Sequence, residues 1–545
     1  MYARSLYGNR EVSALTGGAS RSGPRREGDE PKPAVHDAEK SDCAIVAAKS
    51  ANKAEQSAAE PMEPRAQAEE NAQQDGKRRT PSRESLSHGL ERVRTAARLD
   101  KKMRFAALLH HVNVDLLRSA YSQLKRDAAS GVDGVTWHDY GEGLEERLKD
   151  LHARVHRRAY RAQPSRRKYI PKPDGRKRPL GIAALEDKII QRALVEVLNA
   201  IYEEDFLGFS YGFRPKRSQH DALDALAVGI GCTAVNWILD ADIAGFFDTV
   251  SHEWLIEFVE HRIGDRRVIR LIRKWLKAGV TEEDGQTTPT QIGTPQGAVI
   301  SPLLANIYLH YVFDLWANQW RTRHAQGNVI IVRYADDIVV GFEHEAEAQR
   351  FLAELRERMA LFALSLHPEK TRLIEFGRHA ASDRERRGQG KPESFAFLGF
   401  THICGKSRRG GFLLRRKTRQ DRMRAKLAAI KQELRWRLHA SIPEQGSWLR
   451  RVVTGYFAYH AVPTNIAALG TFRYFVSQLW LRSLRQRSQR SAITWRLMSK
   501  LEAQWLPTPR ILHPWPSQRF AVKHPRWEPY ALIGLVRICA GGAQQ

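Results

Sequence analysis

The sequence predicts an α+β fold followed by a helical, strongly basic segment, and three features of the chain lead to this prediction. Short runs rich in β-branched and aromatic residues alternate with helix-like segments between about residues 160 and 400. Beyond about residue 410 the strand-like runs become rare. Residues 401–500 then contain 22 Lys or Arg against 3 Asp or Glu, a difference of +19.

Residues 1–90 are rich in small, charged and proline residues and contain few large apolar side chains. Such a segment cannot bury enough apolar surface to offset the conformational entropy that is lost on folding. From Leu99 onward apolar residues recur at helical spacing, among them Phe105, Leu108 and Leu109. We therefore expect a disordered extension over residues 1–90 and folded structure after it.

The 545-residue chain carries a formal net charge of +27 and has an isoelectric point near 10.1. An excess of this size predicts a polyanionic partner, and nucleic acid is the first candidate. The sequence has no run of about 18 apolar residues, and its amino terminus lacks the apolar core of a signal peptide. We therefore expect a cytoplasmic protein that does not enter a membrane.

The segment 333–337, with the sequence RYADD, lies between the apolar runs 329–332 and 338–342. This pattern predicts a strand, a tight turn and a second strand, with Asp336 and Asp337 at the tip. Carboxylates at a hairpin tip escape burial in the sheet, while the apolar flanks hold the tip rigidly, as a metal site requires. The alternative is an ordinary solvated turn, because Asp is common in turns.

A second apolar run, residues 237–239, leads into Asp240 and Asp242. Enzymes that join nucleotides need two Mg²⁺ ions about 3.5 to 4 Å apart, held by oxygen ligands. One ion activates the 3′ hydroxyl of the primer and the other neutralises the leaving pyrophosphate. We predict that Asp242 and Asp336 bridge these ions, with Asp337 in support and the carbonyl of Ile243 as a further ligand.

Asp240 and Asp248 lie near the same strand end and are the alternatives to Asp242. Strand alternation does not decide between them, because Asp240 and Asp242 would share a face. We prefer Asp242 because the pair Phe246 and Phe247 follows it and is suited to lie beneath an incoming sugar. Phe247 would then exclude a 2′ hydroxyl and select deoxynucleotides. Its alternative role is that of a buried core aromatic.

The two acidic segments resemble those of the reverse transcriptases encoded by group II introns, and further blocks of that family occur in the same order. These similar blocks are residues 168–182, 210–218, 293–306, 366–371 and 397–400. Residues 448–460 and 463–465 also resemble the maturase (X) domain of these proteins. Together the palm and fingers blocks extend over about 240 residues, and a chance match of that length and order is very improbable.

The resemblance implies a right-hand polymerase with fingers and palm, followed by an α-helical thumb and maturase domain. The expected boundaries are residues 91–385 for fingers and palm, 386–480 for the thumb and maturase domain, and 481–545 for a basic DNA-binding-like tail. No cysteine-rich endonuclease segment follows, so we expect that this chain does not cut the second target strand.

The activity that the resemblance implies is that of a Mg²⁺-dependent RNA-directed DNA polymerase. Such a protein also acts as a maturase, because it binds intron RNA, promotes its splicing and copies it into DNA during retrohoming. The expected partners are therefore intron RNA, target DNA and deoxynucleoside triphosphates.

The fingers block contains three cations, Arg166, Lys172 and Arg178, on a predicted β-hairpin. Fixed cations there would clamp a triphosphate and offset its charge in the transition state. The alternative is that they are surface charges of the hairpin. The turn 293–297 lets the backbone approach a nucleotide closely, and Gln296 is suited to hydrogen-bond the base pair or the ribose edge. An ordinary loop is the alternative there.

Arg214 follows two aromatic residues, Tyr211 and Phe213. This combination is suited to stacking on a template strand and pairing with its phosphates. The alternative for Arg214 is a structural arginine in a salt bridge.

Residues 417–439 are predicted to form a long basic helix with an apolar stripe, which consists of Met423, Leu427, Ile430, Leu434 and Leu438. One face would pack on neighbouring helices and leave basic residues available for phosphates. The candidate RNA-binding residues are Arg422, Lys426 and Arg435 of this helix, and Arg450 and Arg451 of the maturase-like segment. A solvated charged face is the alternative, but acids are too scarce here to pair with the bases.

Three other functions remain as alternatives. The chain could be a splicing-only maturase that binds RNA with an idle polymerase fold, although an unused site has no reason to keep three carboxylates together. It could be an RNA-dependent RNA polymerase, which shares the metal chemistry and which Phe247 disfavours. It could also be a host-adopted reverse transcriptase of a defence system.

Overall fold

The computed structural model describes residues 81–171, 177–487 and 493–523. Helices and strands are mixed through this region, which confirms the predicted α+β class. None of the described helices is both long and apolar enough to cross a membrane.

The first described segment is helical and consists of α1 (Pro81–Leu99), a 3₁₀ turn (Leu109–His111), α2 (Val114–Ser122), α3 (Trp137–Gly141) and α4 (Leu144–His156). Because α1 begins at Pro81, the prediction of disorder over residues 1–90 is wrong for its last part. Val93 and Ala97 of this helix are buried in the main hydrophobic core, so tertiary packing supplies the stability that the polar sequence around them lacks. Residues 1–80 lie outside the described residues.

The first sheet lies in the following part of the chain, which contains β1 (Ser165–Pro171), β2 (Lys177–Ile182), α5 (Leu185–Asp205), α6 (Gln219–Cys232), β3 (Trp237–Asp242), α7 (Phe246–Thr249), α8 (His252–Glu260), α9 (Arg266–Lys277), β4 (Val280–Thr281) and β5 (Thr287–Thr288). Its strand order is β2-β1-β4-β5. Strands β1 and β2 pair antiparallel, which confirms the predicted hairpin, and β1 pairs parallel with β4.

The second sheet is central to the site, and it uses strands of the next part of the chain, which contains α10 (Ser301–Leu309), a π-helical turn (His310–Asp314), α11 (Leu315–His324), β6 (Val329–Tyr334), β7 (Asp337–Phe342), α12 (Glu345–Leu361), β8 (Arg372–Glu375) and α13 (Ala380–Arg386). Its order is β6-β7-β3-β8, with antiparallel neighbours. The apolar residues of β6 and β7 are buried on both faces, which explains why their sequence is a continuous apolar run rather than an alternating one.

The last part of the chain contains the third sheet, which has the order β11-β10-β9, and a group of helices: β9 (Phe395–Phe397), β10 (Phe400–Lys406), β11 (Phe412–Thr418), α14 (Gln420–Trp436), α15 (Ile442–His460), α16 (Ile466–Arg485), α17 (Trp495–Trp505) and α18 (Pro516–Lys523). Helices α14 to α17 build a second hydrophobic core around Leu449 and Trp480. The buried part of the predicted stripe, Ile430 and Leu434, faces this core, which confirms the amphipathic helix.

The predicted division of the chain at residue 480 is wrong in this structure. Helix α16 continues to Arg485, and its residues Leu481 and Leu484 belong to the second core. Phe520 of α18 is instead part of the main core. The segment 481–523 is therefore packed into both cores in its described parts, because its apolar residues find partners far away in the sequence.

Candidate active site

Two of the predicted carboxylates lie side by side on neighbouring strands of the central sheet. Asp242, the last residue of β3, lies directly opposite Asp337, the first residue of β7. Directly opposed residues of an antiparallel pair project from the same face, so both side chains lie on one side of the sheet. Tyr334 pairs with Asp337, which leaves Ala335 and Asp336 as the two-residue turn between β6 and β7. We call this turn with Asp337 the acidic turn.

The carboxylates of this region influence one another. Burial raises the pKa of Asp336 above its ordinary range, and the charge of Asp242 raises it further, while Arg178 and Lys370 lower it. Burial also raises the pKa of Asp240 to about 6, with a further contribution from Asp242. Because charges of like sign have been brought together in a partly buried place, the region favours the approach of a cation.

Lys370 is the cation nearest to Asp242. Its Nζ lies 2.7 Å from Oδ2 of Asp242. The segment of Lys370 is held against β3, because the amide of His367 donates to the carbonyl of Asp242 at 2.7 Å and the amide of Ala244 donates to Ser365 at 2.8 Å. These two bonds lie on either side of Ile243 and do not use its carbonyl oxygen, the predicted extra ligand.

The alternative ligands are placed differently from Asp242. Asp240 lies deeper in β3, where its Oδ2 is 3.9 Å from Nη2 of Arg372 on the neighbouring strand. Asp248 is exposed on the short helix α7. Among the residues that the structure describes, no three His, Cys, Asp or Glu side chains are close enough together to hold a metal ion as they stand. The donors near the acidic turn are nevertheless the hard carboxylate oxygens that Mg²⁺ prefers.

Two predicted nucleotide-binding residues contact each other beside the acidic turn. Arg178 of β2 donates from Nε to Oε1 of Gln296 at 2.9 Å, and the amide of Gly181 donates to the carbonyl of Gln296 at 2.6 Å. Arg178 is also close enough to Asp336 to lower the pKa of that carboxyl. The hairpin β1–β2 therefore contacts the loop of Gln296, and the charge of Arg178 acts on the acidic turn.

The loop of Gln296 also contacts the residues after β3. Gly293 has a φ of +81°, and a Cβ there would lie 2.8 Å from the carbonyl oxygen of Phe247. The amide of Thr294 donates to that same carbonyl at 2.7 Å. Phe247 is half-buried and meets the buried Phe246 edge to face, with ring centroids 5.4 Å apart. Glycine is thus required where the two chain segments approach most closely.

Arg166, another predicted cation of the hairpin, lies at the opposite end of the hairpin from Arg178. Arg166 pairs with Ile182 and Arg178 pairs with Ile170, so both arginines share a face of the hairpin at its two ends. Lys172 lies outside the described residues.

Tyr211 and Arg214 are structural residues, and their predicted role in template binding is wrong. Tyr211 is 3% exposed, and Arg214 is 2% exposed. The Arg214 guanidinium forms a salt bridge with Glu203 at 3.1 Å and donates to the carbonyls of Leu207 and Ser210. The alternative of a salt-bridged arginine is therefore correct, because the protein itself uses the donors that a template would need.

Phe213 remains beside the acidic turn. It is half-buried, with its ring centroid 6.5 Å from that of Tyr334. The preceding Gly212 packs directly on the turn, since a Cβ there would lie 2.2 Å from the amide nitrogen of Ala335. A side chain at residue 212 would push the turn away from this segment.

The predicted RNA-binding residues of the helical part differ in their surroundings. Arg422, Arg435 and Arg451 are exposed, while Lys426 is half-buried and burial lowers its pKa. Arg450 is engaged at the end of α17, where it donates to the carbonyls of Gln504 and Trp505 and its guanidinium carbon lies 5.1 Å from the centre of the Trp505 ring. Arg450 thus caps a helix, and because its side chain is also exposed, its contact with RNA stays a prediction.

Sequence reasoning missed Arg333 as a site residue, although it stands just before the acidic turn. It is the one charged residue in the otherwise apolar strand β6, and its side chain is fully buried. A charge in a buried strand always needs a partner, and this was the signal that could have found it. The partners, Asp314 and Asn306, lie on helices that the strand pattern does not reveal.

Comparison with known proteins covers the same part of the chain. Residues 170–402 match the family model described as reverse transcriptase, RNA-dependent DNA polymerase. Protein YkfC of Escherichia coli strain K12 is 32% identical over 394 residues, which are 65% of this chain and 98% of YkfC. The group II intron-encoded protein LtrA of Lactococcus lactis subsp. cremoris is 41% identical over 198 residues, 36% of this chain and 32% of LtrA.

A further relative is an uncharacterized 91 kDa protein in the cob intron of Schizosaccharomyces pombe, which is 38% identical over 209 residues, 38% of this chain and 25% of that protein. The chain therefore spans nearly all of YkfC but only about a third or less of the intron-associated relatives. The matched family region contains β3 and the acidic turn, so the candidate site lies within the shared part.

Proposed function

Because this chain belongs to the family of group II intron-encoded reverse transcriptases and maturases, we propose that it copies RNA into DNA with Mg²⁺ and binds the intron RNA. The observation that carries the proposal is the pairing of the carboxylates at the ends of β3 and β7, with a cation of the hairpin near enough to act on them. Asp242 lies opposite Asp337 with Asp336 in the turn, and Arg178 and Gln296 contact each other beside them.

The carboxylates Asp242, Asp336 and Asp337 would hold the metal ions, with the carbonyl of Ile243 as a further donor. Mg²⁺ bound there supplies the charge that favours the ionised 3′ hydroxyl of a primer and the departing pyrophosphate. The raised pKa of Asp336 fits this role, since a carboxyl that resists ionisation alone ionises readily beside a divalent cation. Lys370 offsets part of the negative charge of Asp242 and so limits repulsion within the cluster.

The nucleotide would lie between the fingers hairpin and the central sheet. Arg178, Arg166 and Lys172 would provide positive charge for its phosphates. Gln296, which accepts a hydrogen bond from Arg178, would contact the base pair or the ribose. Phe247, half-buried next to the loop of Gln296, supports discrimination against a 2′ hydroxyl. The layout of fingers, palm and thumb is part of this proposal and rests on the order of the matched segments.

Asp336→Asn provides the direct test, because it keeps the size of the side chain and removes the charge. We expect primer extension with deoxynucleotides on an RNA template to fall by at least about a thousandfold. A lost metal ligand removes several kcal/mol of transition-state stabilisation, and each 1.4 kcal/mol is tenfold in rate. Asp248→Asn is the matched control, since Asp248 is an exposed acid six residues beyond Asp242.

We expect Asp248→Asn to extend primers like the wild type. Extension by Asp336→Asn at the rate of this control would refute the polymerase proposal. Splicing of the intron RNA should survive in Asp336→Asn, because the grip on RNA depends on the basic surface and not on the metal site. If wild-type protein promotes splicing but copies no RNA, the splicing-only maturase is the correct function.

A further inference from the structure

We infer that Arg333 is a positioning residue that fixes the acidic turn through a buried network, an inference that rests on the proposed function of that turn. Arg333 is the penultimate residue of β6, and its side chain is fully buried. The five N–H donors of a guanidinium match the five hydrogen bonds that it makes, at 2.6 to 3.0 Å. The acceptors are two oxygens of Asp314, the side chains of Asn306 and Ser210, and the carbonyl of Ala335.

One of these bonds acts on the acidic turn itself. Nη1 of Arg333 donates to the carbonyl oxygen of Ala335 at 3.0 Å. Ala335 has a φ of +57°, a left-handed conformation that a residue with a Cβ adopts at a cost. The turn therefore needs an external constraint to keep this shape, and the carbonyl that Arg333 holds belongs to the residue just before Asp336.

The same network attaches the turn to a second segment. Asn306 accepts from Arg333 and donates from Nδ2 to the carbonyl of Gly212 at 2.7 Å. The backbone of Arg333 is also bonded on both sides, from its amide to Phe209 at 2.9 Å and from the amide of Tyr211 to its carbonyl at 2.8 Å. Since Gly212 packs on the amide of Ala335, these bonds fix both sides of the turn.

The carboxylate partner comes from an irregular helix. Asp314 is fully buried at the end of the π-helical turn between α10 and α11. A π-helical turn is uncommon and is often found at functional sites. Burial lowers the pKa of the neighbouring His310 to about 4, so that imidazole is neutral at pH 7 and Arg333 supplies the charge that matches Asp314.

A buried ion pair of this kind adds little stability compared with apolar residues of similar size, so its value lies in the geometry that it specifies. The acidic turn is the part of the site whose position has to be specified, because metal ligands must be held within about 0.5 Å of their productive places. The network thus links the left-handed turn, the loop of Gly212 and the π-helical turn.

The test uses two variants that remove the network in different ways. Arg333→Lys keeps the charge but cannot make the planar set of bonds. The double variant Arg333→Met with Asp314→Leu replaces the pair by apolar residues and keeps a folded protein even if Arg333→Lys does not fold. Arg262→Lys is the matched control, because Arg262 is also a buried, salt-bridged arginine, bonded to Asp205 and to carbonyls near α1.

Two measurements separate positioning from folding. Amide hydrogen exchange of the peptide 333–340 should be at least about tenfold faster in the two network variants than in Arg262→Lys. In primer extension, kcat should fall by about 10- to 100-fold while the Kd for primer–template changes less than about twofold, as for other residues that orient metal ligands.

The inference is overturned if either folded network variant shows the exchange and the kcat of the Arg262→Lys control. It is equally overturned if kcat falls only in proportion to a lost affinity for primer–template. A wild-type protein without polymerase activity would refute the proposed function instead, and in that case the exchange measurement still decides whether Arg333 fixes the turn.

Discussion

The surroundings of Phe247 fit both of its predicted roles, a contact with the incoming sugar and a place in the core. It packs edge to face on the buried Phe246, as a core aromatic does, yet it is only half-buried and carries the carbonyl on which the loop of Gln296 rests. An aromatic ring at such a border is suited to touch a sugar while its other face is supported by the core.

We predict that Phe247→Ala lowers the preference for deoxynucleotides over ribonucleotides by about 10- to 100-fold. A steric contact with one added group is worth about 1–3 kcal/mol, which corresponds to this range. The measurement is kcat/KM for both nucleotides in primer extension. Phe246→Leu serves as the control, because Phe246 is buried, and it should reduce stability without a change in the preference. If Phe247→Ala lowers kcat/KM for both nucleotides to the same extent, Phe247 is a core residue only.

Sequence-based prediction at single residues is limited by the acceptors that the fold supplies. The arginines at residues 214 and 450 are of a type suited to RNA binding. In the structure, both side chains donate to acceptors of the protein itself. Arg214 bonds to Glu203, close in the chain, whereas the acceptors of Arg450 lie more than fifty residues away. A sequence shows which side chains can donate, and it does not show whether the folded chain has already supplied the acceptors.

The elements that were predicted well are those whose pattern is local. The hairpin β6–β7 has the predicted turn because apolar runs on both sides leave only one place for a polar tip. Helix α14 has the predicted apolar stripe, and β1–β2 is the predicted hairpin. Helix α1 and the end of α16 were misjudged, since their stability comes from cores built by distant residues.

Asp265 illustrates how one carboxylate joins two elements. It is 2% exposed and caps α9 by accepting from the amide of Arg267 at 3.0 Å. Its Oδ2 also accepts from the amides of Leu108 and Leu109 at 2.9 and 3.0 Å. Burial alone raises the pKa of Asp265, but the bonds from the Arg267 side chain and from these amides outweigh it and hold the pKa well below its ordinary range.

We predict that Asp265→Ala lowers the free energy of unfolding by about 2–4 kcal/mol, since it removes a helix cap and buried bonds to a charged acceptor. Because the folded pKa is depressed, this contribution is present above the unfolded pKa of about 3.9 and is lost as the pH falls below it. Urea unfolding between pH 3 and 7 measures both effects. Asp115→Ala, at a half-buried acid paired with Arg118, should change stability little, and equal losses in the two variants would refute the assignment.

At the scale of the whole described chain, buried charges connect the last strand and the last helix to an early helix of the main core. Asp224 of α6 accepts from Arg416 of β11 at 3.2 Å and is also paired with Arg519 of α18. These three residues lie in parts of the chain far apart in sequence, so the third sheet and α18 are both fixed to α6. Such a connection could not be predicted, because the pairing is visible only when all three elements are folded.

Most of the excess positive charge, +19 of +27, lies in residues 401–500, and we propose that this region binds RNA independently of the acidic site. Arg422 and Arg435 of α14 and Arg451 of α15 are exposed, and acids are scarce in residues 401–500. We predict that the triple variant with Gln at these three positions weakens binding of the intron RNA. The slope of log K against log salt concentration should become shallower by about 2–3, since each phosphate contact contributes about 0.7–0.9.

The control for this prediction removes the same charge elsewhere, by Gln at the exposed residues Lys149, Arg270 and Arg356. Both triple variants have a net charge of +24, three less than the +27 of the natural chain. If the RNA contacts are local, only the first variant loses affinity and splicing, and its extension of a short primer–template stays within about threefold of wild type. Equal losses in the two variants would mean that total charge attracts the RNA, and the helical surface would then have no special part in recognition.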